Sequence, residues 1–502
     1  MFVMKGLVYR IKVIFRSIKE VHEFILSRFL NTEIFVFGLI FIITEIIAVF
    51  TLFDWNYLAS FVVIFTVIFS VLVLNRFFKI KFLVYILFAM SIICIRLLIG
   101  SFSESQIIKK YTNNPSVIDL YVTITKPADV NNEFVTYVVK NNSDNLTLRV
   151  RGSRYPVYIP YSICHLKGSL QIIDRSSEYF QYFYSKNIFY DVKVSSFSCE
   201  DNSSSLLWKL YSLKHATFRI IEQNMNEPYA SLLIGIVWGE NRSFSPKMEE
   251  AFKITGTTHV IAASGYNVNV ITIILERFLY FLPKKIRVII SIFMLFLYLI
   301  LAGVSASIFR AVLMYVIDRM YELLGMPVSI LQIILLTVVI MMIYNPKIIY
   351  DIGFLLSMGA TLGLVFFNKV LIKDLPQLPE SLLTTLSANI GTLGITIYTF
   401  KVFSVISLPI NSVVLSFLDN IMELGVVGII IFQVSKTISR FIFMLIEQLL
   451  KPFVYITYSF GDLKWGFWAI SPGLSLIVLI TLGFISMLMT YKYFYILNNE
   501  TK

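Results

Sequence analysis

Long apolar runs recur along this chain of 502 residues and limit its fold more than any other feature. They fall near residues 33–53, 58–75 and 82–100, then resume near residue 257 and continue almost to the end. A run of about 20 apolar residues is long enough to cross a bilayer as a helix. Because 57% of the residues are hydrophobic and only 15% are charged, a soluble protein of this length could not bury them all. We therefore predict a polytopic α-helical membrane protein with about 10–12 spans.

The positions of lysine and arginine predict how the chain is oriented in the membrane. The loop "DWNY" at residues 54–57 contains neither, whereas "NRFFKIK" at residues 75–81 contains three positive charges. The positive-inside rule then places the N-terminus in the cytoplasm and residues 101–205 outside. The same rule accounts for most of the net charge of +12, which by itself would also suit a nucleic-acid-binding protein.

The remaining boundaries follow from changes in hydropathy. Residues 1–32 are basic and amphipathic, and we interpret them as an interfacial helix before three transmembrane helices at residues 33–100. Residues 206–256 are predicted to be an amphipathic helical connector, and residues 257–502 a second transmembrane domain. Residues 441–460 of this second domain include the charged residues Glu447 and Lys451. This segment is therefore predicted either to cross the membrane or to lie along its surface.

Residues 101–205 differ in composition from both apolar blocks. Short β-branched or alternating runs, such as "VIDLYVTITKPADV" (117–130) and "NLTLRVRG" (145–152), are broken by Asn, Gly, Asp and Pro. This pattern predicts a small extracytoplasmic β-barrel or sandwich. Cys164 and Cys199 lie here, on the predicted oxidising side, and are candidates for a disulfide bond that would stabilise the domain by roughly 3–4 kcal/mol. Cys94, at membrane depth, is interpreted as a small core residue.

Two stretches of this outer domain mix aromatic rings with cations, namely "RVRGSRYPVYIPY" (149–161) and "EYFQYFYSKNIFYDVK" (178–193). Single-stranded nucleic acid binds such mixtures, because bases stack on rings while Arg and Lys contact phosphates. The alternative is that alternating rings simply fill a small β core. The candidate DNA-binding residues are Arg149, Arg151, Arg154, Tyr155, Tyr158 and Tyr161.

The segment "TTHVIAASGYNVNVI" (257–271) keeps several polar groups at the start of an apolar run. His259 and Ser264 are five residues apart, about 140° around a helix, so a nucleophile–base pair within one helix would be poorly aligned. Gly265 predicts close backbone packing or a break in the helix, and such breaks persist in a bilayer only where protein or a water-filled cavity covers them. We therefore expect a lumen lined by His259, Ser264, Gly265, Asn267, Asn269, Ser305, Ser307, Arg310 and Ser357.

Arg310 stands out among these residues because placing arginine within a span costs roughly 2.5–3.5 kcal/mol. Either it contacts a phosphate in a passage, or it pairs with Asp318, Glu322 or a carbonyl group. By contrast, Asp351 and the pair Asp419 and Glu423 would repel phosphate, and we expect them to form hydrogen bonds between helices.

No metal site, cofactor or nucleotide motor is expected in this chain. Its three cysteines and four histidines show no CxxC or HxxxH spacing, and a G-x-x-x-x-G-K-[ST] stretch does not occur.

The stretch "SLLIGIVWGENRSFSPKMEEAFKITGTTHVIAASGYNVNVI" (231–271) resembles the entry to the competence domain of the ComEC family of DNA-uptake channels. Further similar stretches follow in the family's order: "AGVSASIFRAVLM" (302–314), "YNPKIIYDIGFLLSMGATLGL" (344–364) and "FSVISLPINSVV" (403–414). The motif positions matched are His259, Ser264, Gly265, Arg310, Gly353, Phe354 and Ser357. Tyr266 and Asn267 replace the family's usual Leu and His, so a proton relay at 267 is not expected.

The resemblance implies a channel in the bacterial cytoplasmic membrane that conducts one strand of transforming DNA. It also implies that residues 101–205 form an OB-like domain and that residues 257–502 form a competence-type channel domain. The partners it implies are single-stranded DNA, membrane lipid, a surface DNA receptor and a cytoplasmic ATP-driven motor or single-strand-binding protein. Longer relatives end in a metallo-β-lactamase-like domain. Nothing after residue 430 resembles that domain, so we expect no nuclease activity and no enzyme in this chain.

Two other functions stay open from the sequence. One is a small-solute or lipid-linked transporter, which would show inverted repeats. The other is an intramembrane hydrolase that uses Ser264 with His259.

Overall fold

The computed structural model describes residues 117–130, 134–143, 146–153, 155–174, 180–240, 244–261, 264–404, 406–461 and 467–469. The predicted interfacial helix at 1–32, the predicted spans at 33–100, Cys94 and Arg154 lie outside these residues. Residues 329–339 belong to a separate compact unit, and the contacts described below are within the larger one.

Six strands of the outer domain form one sheet: β1 (Val117–Ile124), β2 (Asp129–Val130), β3 (Phe134–Asn141), β4 (Thr147–Ser153), β5 (Ile163–Ile172) and β6 (Ile188–Glu200). Their order is β1-β5-β6-β4-β3-β2, and β1 also pairs with β3. The hydrogen-bonded pairings of β1, β5, β6, β4 and β3 therefore form a closed ring. All these pairs are antiparallel except β4 with β6, which is parallel.

Alternation of side chains produces the core of this domain. Along β3 every second residue points inward, so that Val135, Tyr137 and Val139 are buried. Leu148 and Leu166 meet them from β4 and β5 and are fully buried as well. The β-branched runs of the sequence thus form a single apolar interior.

Cys164 and Cys199 lie opposite each other in the antiparallel pair β5–β6 and are joined by a disulfide bond. The bond links two strands that are 35 residues apart in the sequence. It therefore closes a loop that contains α1 (Phe180–Ser185), the short helix between β5 and β6.

The rest of the described chain is mainly helical. Its helices are α2 (Leu206–Asn224), α3 (Tyr229–Trp238), α4 (Pro246–Thr255), α5 (Thr258–Ile261), α6 (Gly265–Phe278), α7 (Lys284–Leu301), α8 (Ala306–Leu323), α9 (Ile330–Tyr344), α10 (Ile352–Asp374), α11 (Glu380–Phe400), α12 (Ser407–Phe432) and α13 (Lys436–Gly461). A 3₁₀ turn, Pro346–Tyr350, precedes α10, and the short strands β7 (Val402–Ser404) and β8 (Phe467–Ala469) pair antiparallel.

Three of the described helices are long and apolar enough to cross a membrane, namely α10, α12 and α13. The segment 441–460 lies within α13. A position along the membrane surface remains an alternative for this segment. The count of 10–12 spans stays a prediction, because the first three predicted spans lie outside the described residues.

The predicted connector 206–256 contains one helix that is almost entirely buried. Eight of the ten residues of α3 are buried, and Leu232, Leu233 and Ile236 lie in the same core cluster as residues of α12 and α13. The helix α3 is therefore an interior helix of the bundle, as expected for a helix that is apolar on all sides.

A buried ion pair joins α2, α3 and α7. The Lys214 ammonium lies 2.6 Å from Oε2 of Glu240 and donates a 2.7 Å hydrogen bond to the carbonyl oxygen of Leu301. The Lys214 side chain is fully buried. Removing one partner of such a pair typically costs about 3–5 kcal/mol, because the other charge is left without compensation.

Glycine allows the closest helix contact, between α10 and α11. A Cβ atom built on Gly391 would lie 2.2 Å from the carbonyl oxygen of Gly359, and one on Gly363 would lie 2.3 Å from that of Ser387. Any larger residue at these positions would push the two backbones apart.

The outer domain contacts the helical region where α8 and α10 begin. Pro127 lies against Gly303, the residue that ends the turn after α7. Asn345 donates a 3.1 Å hydrogen bond to the carbonyl oxygen of Ser185, and Lys186 pairs with Asp351. These contacts place the sheet at one end of the helical bundle.

We predict that the double substitution Cys164→Ser and Cys199→Ser lowers the free energy of unfolding of the outer domain by roughly 3–4 kcal/mol, because the unfolded chain regains the freedom of the loop. Limited proteolysis of the purified protein across a denaturant series measures this change. Reductant should shift the transition of the wild type and leave that of the double variant in place. An equal reductant effect on both proteins would contradict the prediction.

Candidate functional site

The N-terminal halves of α6, α8 and α10 meet in a polar cluster. The backbone N–H of Gly265 donates to Oγ of Ser307 over 3.3 Å, and the Ser307 and Ser357 hydroxyls are 2.9 Å apart. Arg310 donates from Nη1 to the Thr361 hydroxyl, which in turn donates to the Ser357 carbonyl oxygen over 2.9 Å. Four residues predicted to line one passage therefore lie together, although they come from three separate sequence motifs.

Gly265 is required for this approach. A Cβ atom at this position would lie 3.0 Å from Nη2 of Arg310 and 3.4 Å from Cβ of Ala311. Ser264, just before it, is in an extended conformation and separates α5 from α6. The break that the sequence predicted at Gly265 is thus present, and protein covers it.

Arg310 is buried and has no ion pair with any residue that the structure describes. Its Nη1 contacts the Thr361 hydroxyl and lies 3.4 Å from Sδ of Met314, while its Nε has no hydrogen-bond partner. The pairings considered with Asp318 and Glu322 do not occur, since both carboxylates lie next to Arg319 instead. Arg310 is therefore a buried cation with an unused Nε donor and no carboxylate partner among the described residues.

Asn267 does not face an opening. Its side chain is buried, donates a 2.8 Å hydrogen bond to the Ile236 carbonyl oxygen and accepts one of 3.0 Å from the Ser264 hydroxyl. It joins α6 to α3 because it projects from the side of α6 that packs on that helix. The lining role of Asn267 stays a prediction, and in this structure its side chain links α6 to α3, whereas Asn269, two residues on, is exposed.

Ser305 serves as the N-cap of α8, since its hydroxyl accepts a 3.3 Å hydrogen bond from the Ile308 N–H. His259 is exposed, with Nδ1 3.0 Å from the Gly256 carbonyl oxygen. The Ser264 hydroxyl is bonded to Asn267, so Ser264 and His259 do not form the hydrogen bond that a nucleophile–base pair needs. Nothing in this geometry favours the hydrolase alternative.

Two cavities, of about 640 and 480 Å³, lie elsewhere in the fold. Neither is lined by any of the nine residues that were predicted to line the passage. Within the polar cluster, direct hydrogen bonds join the three helices.

Lysines at the junction of the outer domain and the helices were not singled out from the sequence. The Lys347 ammonium donates a 2.7 Å hydrogen bond to Oδ1 of Asn187 and lies 4.3 Å from the centre of the Tyr184 ring. Burial lowers the pKa of Lys347 to about 8, and burial together with repulsion from the neighbouring Lys186 lowers the pKa of Lys126 to about 8. The sequence signal was weak, because Lys347 and Lys186 each appear as isolated charges among apolar and aromatic residues.

Asp351 holds this junction. It accepts a 3.2 Å hydrogen bond from the Phe354 N–H as the N-cap of α10, and it pairs with Lys186 of the outer domain. Asp351 was expected to bond between helices. Its partner is instead a residue of the sheet domain, so the carboxylate links the first turn of α10 to the outer domain.

The candidate DNA-binding residues of the outer domain fall into two groups. Arg149 pairs with Asp191 through two nitrogen atoms, and Tyr158 packs between the rings of Tyr137 and Phe197, as the core-filling alternative requires. Tyr161 lies 5.6 Å from the Tyr211 ring. In contrast, Tyr155 is 72% exposed, and Arg151 is also exposed. A ligand could therefore reach Tyr155 and Arg151.

We predict that Asn267→Leu lowers the free energy of unfolding by about 1–3 kcal/mol, because the Ile236 carbonyl group and the Ser264 hydroxyl lose a buried partner. Thermal unfolding of the purified protein in detergent measures the loss. Asn269→Leu, an exposed position on the same helix, is the matched control and should change stability little. Equal effects of the two substitutions would show that Asn267 is not a buried cross-link.

Comparisons with known proteins agree with the location of this cluster. The family model described as Competence protein matches residues 236–493, just over half of the chain, and this range contains Gly265, Ser307, Arg310 and Ser357. ComE operon protein 3 of Bacillus subtilis (strain 168) is 23% identical over 301 residues, which cover 58% of this chain but only 39% of that protein. No solved structure matches the chain. From the extent of the family match, the chain belongs to the Competence protein family.

Proposed function

We propose that this protein conducts single-stranded DNA across the cytoplasmic membrane during competence. Membership of the Competence protein family supports a role in competence DNA uptake, and the three long apolar helices fit a membrane protein. The observation that carries the more specific proposal is the cluster of Gly265, Ser307, Arg310 and Ser357 within the matched range.

Arg310 suits contact with a phosphate group. It is the buried cation of the cluster, it lacks a carboxylate partner among the described residues, and its Nε donor is unused. A phosphate passing beside it would accept hydrogen bonds from the guanidinium group and compensate its charge. Hydroxyl groups such as those of Ser307 and Ser357 can hydrogen-bond a passing strand without trapping it by charge.

Conduction requires that α6, α8 and α10 separate. In the structure their N-terminal halves are held by the bonds of the polar cluster, so we infer that it represents a closed arrangement. The contacts to be broken are hydroxyl and amide hydrogen bonds, each of which contributes only about 0.5–1.5 kcal/mol net. Opening at this point is therefore compatible with a stable bundle.

The membrane potential implies a separate driving force. Each phosphate charge that enters a negative interior moves against roughly 2.3 kcal/mol per 100 mV. The sequence contains no P-loop motif, so we propose that another protein, a cytoplasmic motor or a strand-binding protein, drives the transfer.

We further propose that the outer domain is OB-like and guides the strand. The ring of strand pairings β1-β5-β6-β4-β3, with one parallel pair, supports this assignment. Tyr155 and Arg151 are the exposed ring and cation in the segment that was expected to bind DNA. A base stacked on Tyr155 with its phosphate near Arg151 is the contact that we propose.

We predict that Arg310→Met lowers the uptake of labelled DNA into the nuclease-protected fraction about tenfold or more, because loss of one charge-assisted contact weakens phosphate passage. Label bound at the cell surface and the amount of the protein in the membrane should stay unchanged. Arg440→Met, at an exposed arginine of α13, is the matched control.

Two outcomes would count against this role of Arg310. Unchanged uptake would remove it from the path. A parallel loss of protein from the membrane would assign it to folding.

We predict that Tyr155→Ala combined with Arg151→Ala weakens binding of a fluorescent single-stranded oligonucleotide by the purified full chain about tenfold, since one stacked base contributes roughly 1–3 kcal/mol. Fluorescence anisotropy measures the affinity. Tyr121→Ala, at another exposed tyrosine of the same domain, is the control and should have little effect. An unchanged affinity of the double variant would leave the outer domain without this DNA contact.

A further inference from the structure

The larger cavity, about 640 Å³, lies where α6 ends, α7 begins and α8 ends. Its polar lining consists of Glu276, Arg277, Lys284, Arg287, Arg319 and Glu322. None of these residues belongs to the polar cluster around Arg310, so this is a second and separate polar site.

The cavity and the outer domain lie at opposite ends of the helical bundle. Helix α7 begins at Lys284 beside the cavity and ends at Leu301, next to the turn that contacts Pro127 of the outer domain. Its 18 residues span about 27 Å at 1.5 Å per residue. This length is close to the roughly 30 Å of a bilayer's hydrocarbon core. We expect α7 to cross the bilayer, and this orientation would place the cavity at the membrane interface opposite the outer domain, on the side where the positive-inside rule predicts the cytoplasm.

Most charges of the cavity are paired. Lys284 lies 2.5 Å from Oε1 of Glu322, and Arg319 lies 2.5 Å from Oε2 of the same carboxylate. Arg319 also lies 3.6 Å from carboxylate oxygens of Glu276 and of Asp318.

Arg287 differs from these residues. Arg277 pairs at 2.9 Å with Glu423, which does not line the cavity, whereas Arg287 forms no ion pair with any residue that the structure describes. The Arg287 guanidinium group thus lines the cavity without a carboxylate partner. The neighbouring Lys284 ammonium pairs with Glu322 and can donate further hydrogen bonds. A ligand with a single negative charge would complete this arrangement.

Apolar surface borders the cavity. Tyr280 lines it, and the neighbouring side chains of Phe278 and Phe281 are largely exposed. The exposed Ile289 and Phe293 of α7 lie on the opposite face of that helix from Lys284 and Arg287. An apolar chain attached to a ligand in the cavity would therefore cover the exposed rings of Phe278 and Phe281.

We propose that the cavity binds the phosphodiester headgroup of an anionic phospholipid, with its acyl chains against the exposed rings of Phe278 and Phe281. The phosphate oxygens accept hydrogen bonds from Arg287 and Lys284, and Tyr280 lies at the level of the headgroup. Basic pockets at the cytoplasmic ends of transmembrane helices suit such headgroups. This site is independent of DNA passage, since it shares no residue with the polar cluster.

The test uses the purified full chain, delipidated in detergent and titrated with a fluorescent phosphatidylglycerol. Arg287→Gln with Lys284→Gln should weaken binding about tenfold or more, because two charged donors are lost. The control is Lys285→Gln, which removes a positive charge from the position next to Lys284. Because Lys285 does not line the cavity, this substitution should change binding less than about twofold.

Two competitors distinguish the headgroup from its alternatives. Unlabelled phosphatidylglycerol should displace the probe, whereas phosphatidylcholine with the same acyl chains should displace it poorly. Inorganic phosphate alone should not displace it at similar concentrations. Displacement by inorganic phosphate would show a soluble-phosphate site instead, and equal displacement by phosphatidylcholine, or equal binding by all variants, would overturn the proposal.

Discussion

The need to satisfy polar groups inside an apolar helical bundle determines how α6, α8 and α10 meet. A bilayer supplies no water to the interior, so the N–H of Gly265 and the hydroxyls of Ser307 and Ser357 must bond to one another. Because Gly265 has no side chain, α6 can begin close to Arg310, which brings the guanidinium group against Thr361. The break before α6, the close helix approach and the buried cation are therefore consequences of one constraint.

The same constraint couples the outer domain to these helices. Asp351 caps α10, the helix that carries Ser357 and Thr361, and its remaining charge is compensated by Lys186 of the sheet domain. A displacement of the sheet would therefore be transmitted to the first turn of α10. In the proposed function, the strand leaves the outer domain at the point where the helices of the polar cluster begin.

For several regions, the sequence predicted the type of local structure that the fold contains. The short β-branched runs at 117–200 form strands, the two candidate cysteines of this region are joined, and the helix is interrupted before Gly265. Gly265, Ser307, Arg310 and Ser357, which come from separate motifs, lie together in the structure, and their lining role stays a prediction. The role of Asn267 was not predicted, because a polar residue in an apolar run gives no indication of whether its partner is water or a carbonyl group from another helix.

The sequence by itself determined that the chain contains helices apolar enough to cross a membrane and a small β domain, since hydropathy and alternation are properties of neighbouring residues. Only the tertiary structure decided which polar groups have partners. Lys186 meets Asp351 although 165 positions separate them, and Glu322 is shared by Lys284 and Arg319, whereas Arg287 pairs with no carboxylate of the described residues. The physical reason is that compensation of a charge depends on which atoms lie within a few ångströms, and these belong to segments that only the fold brings together.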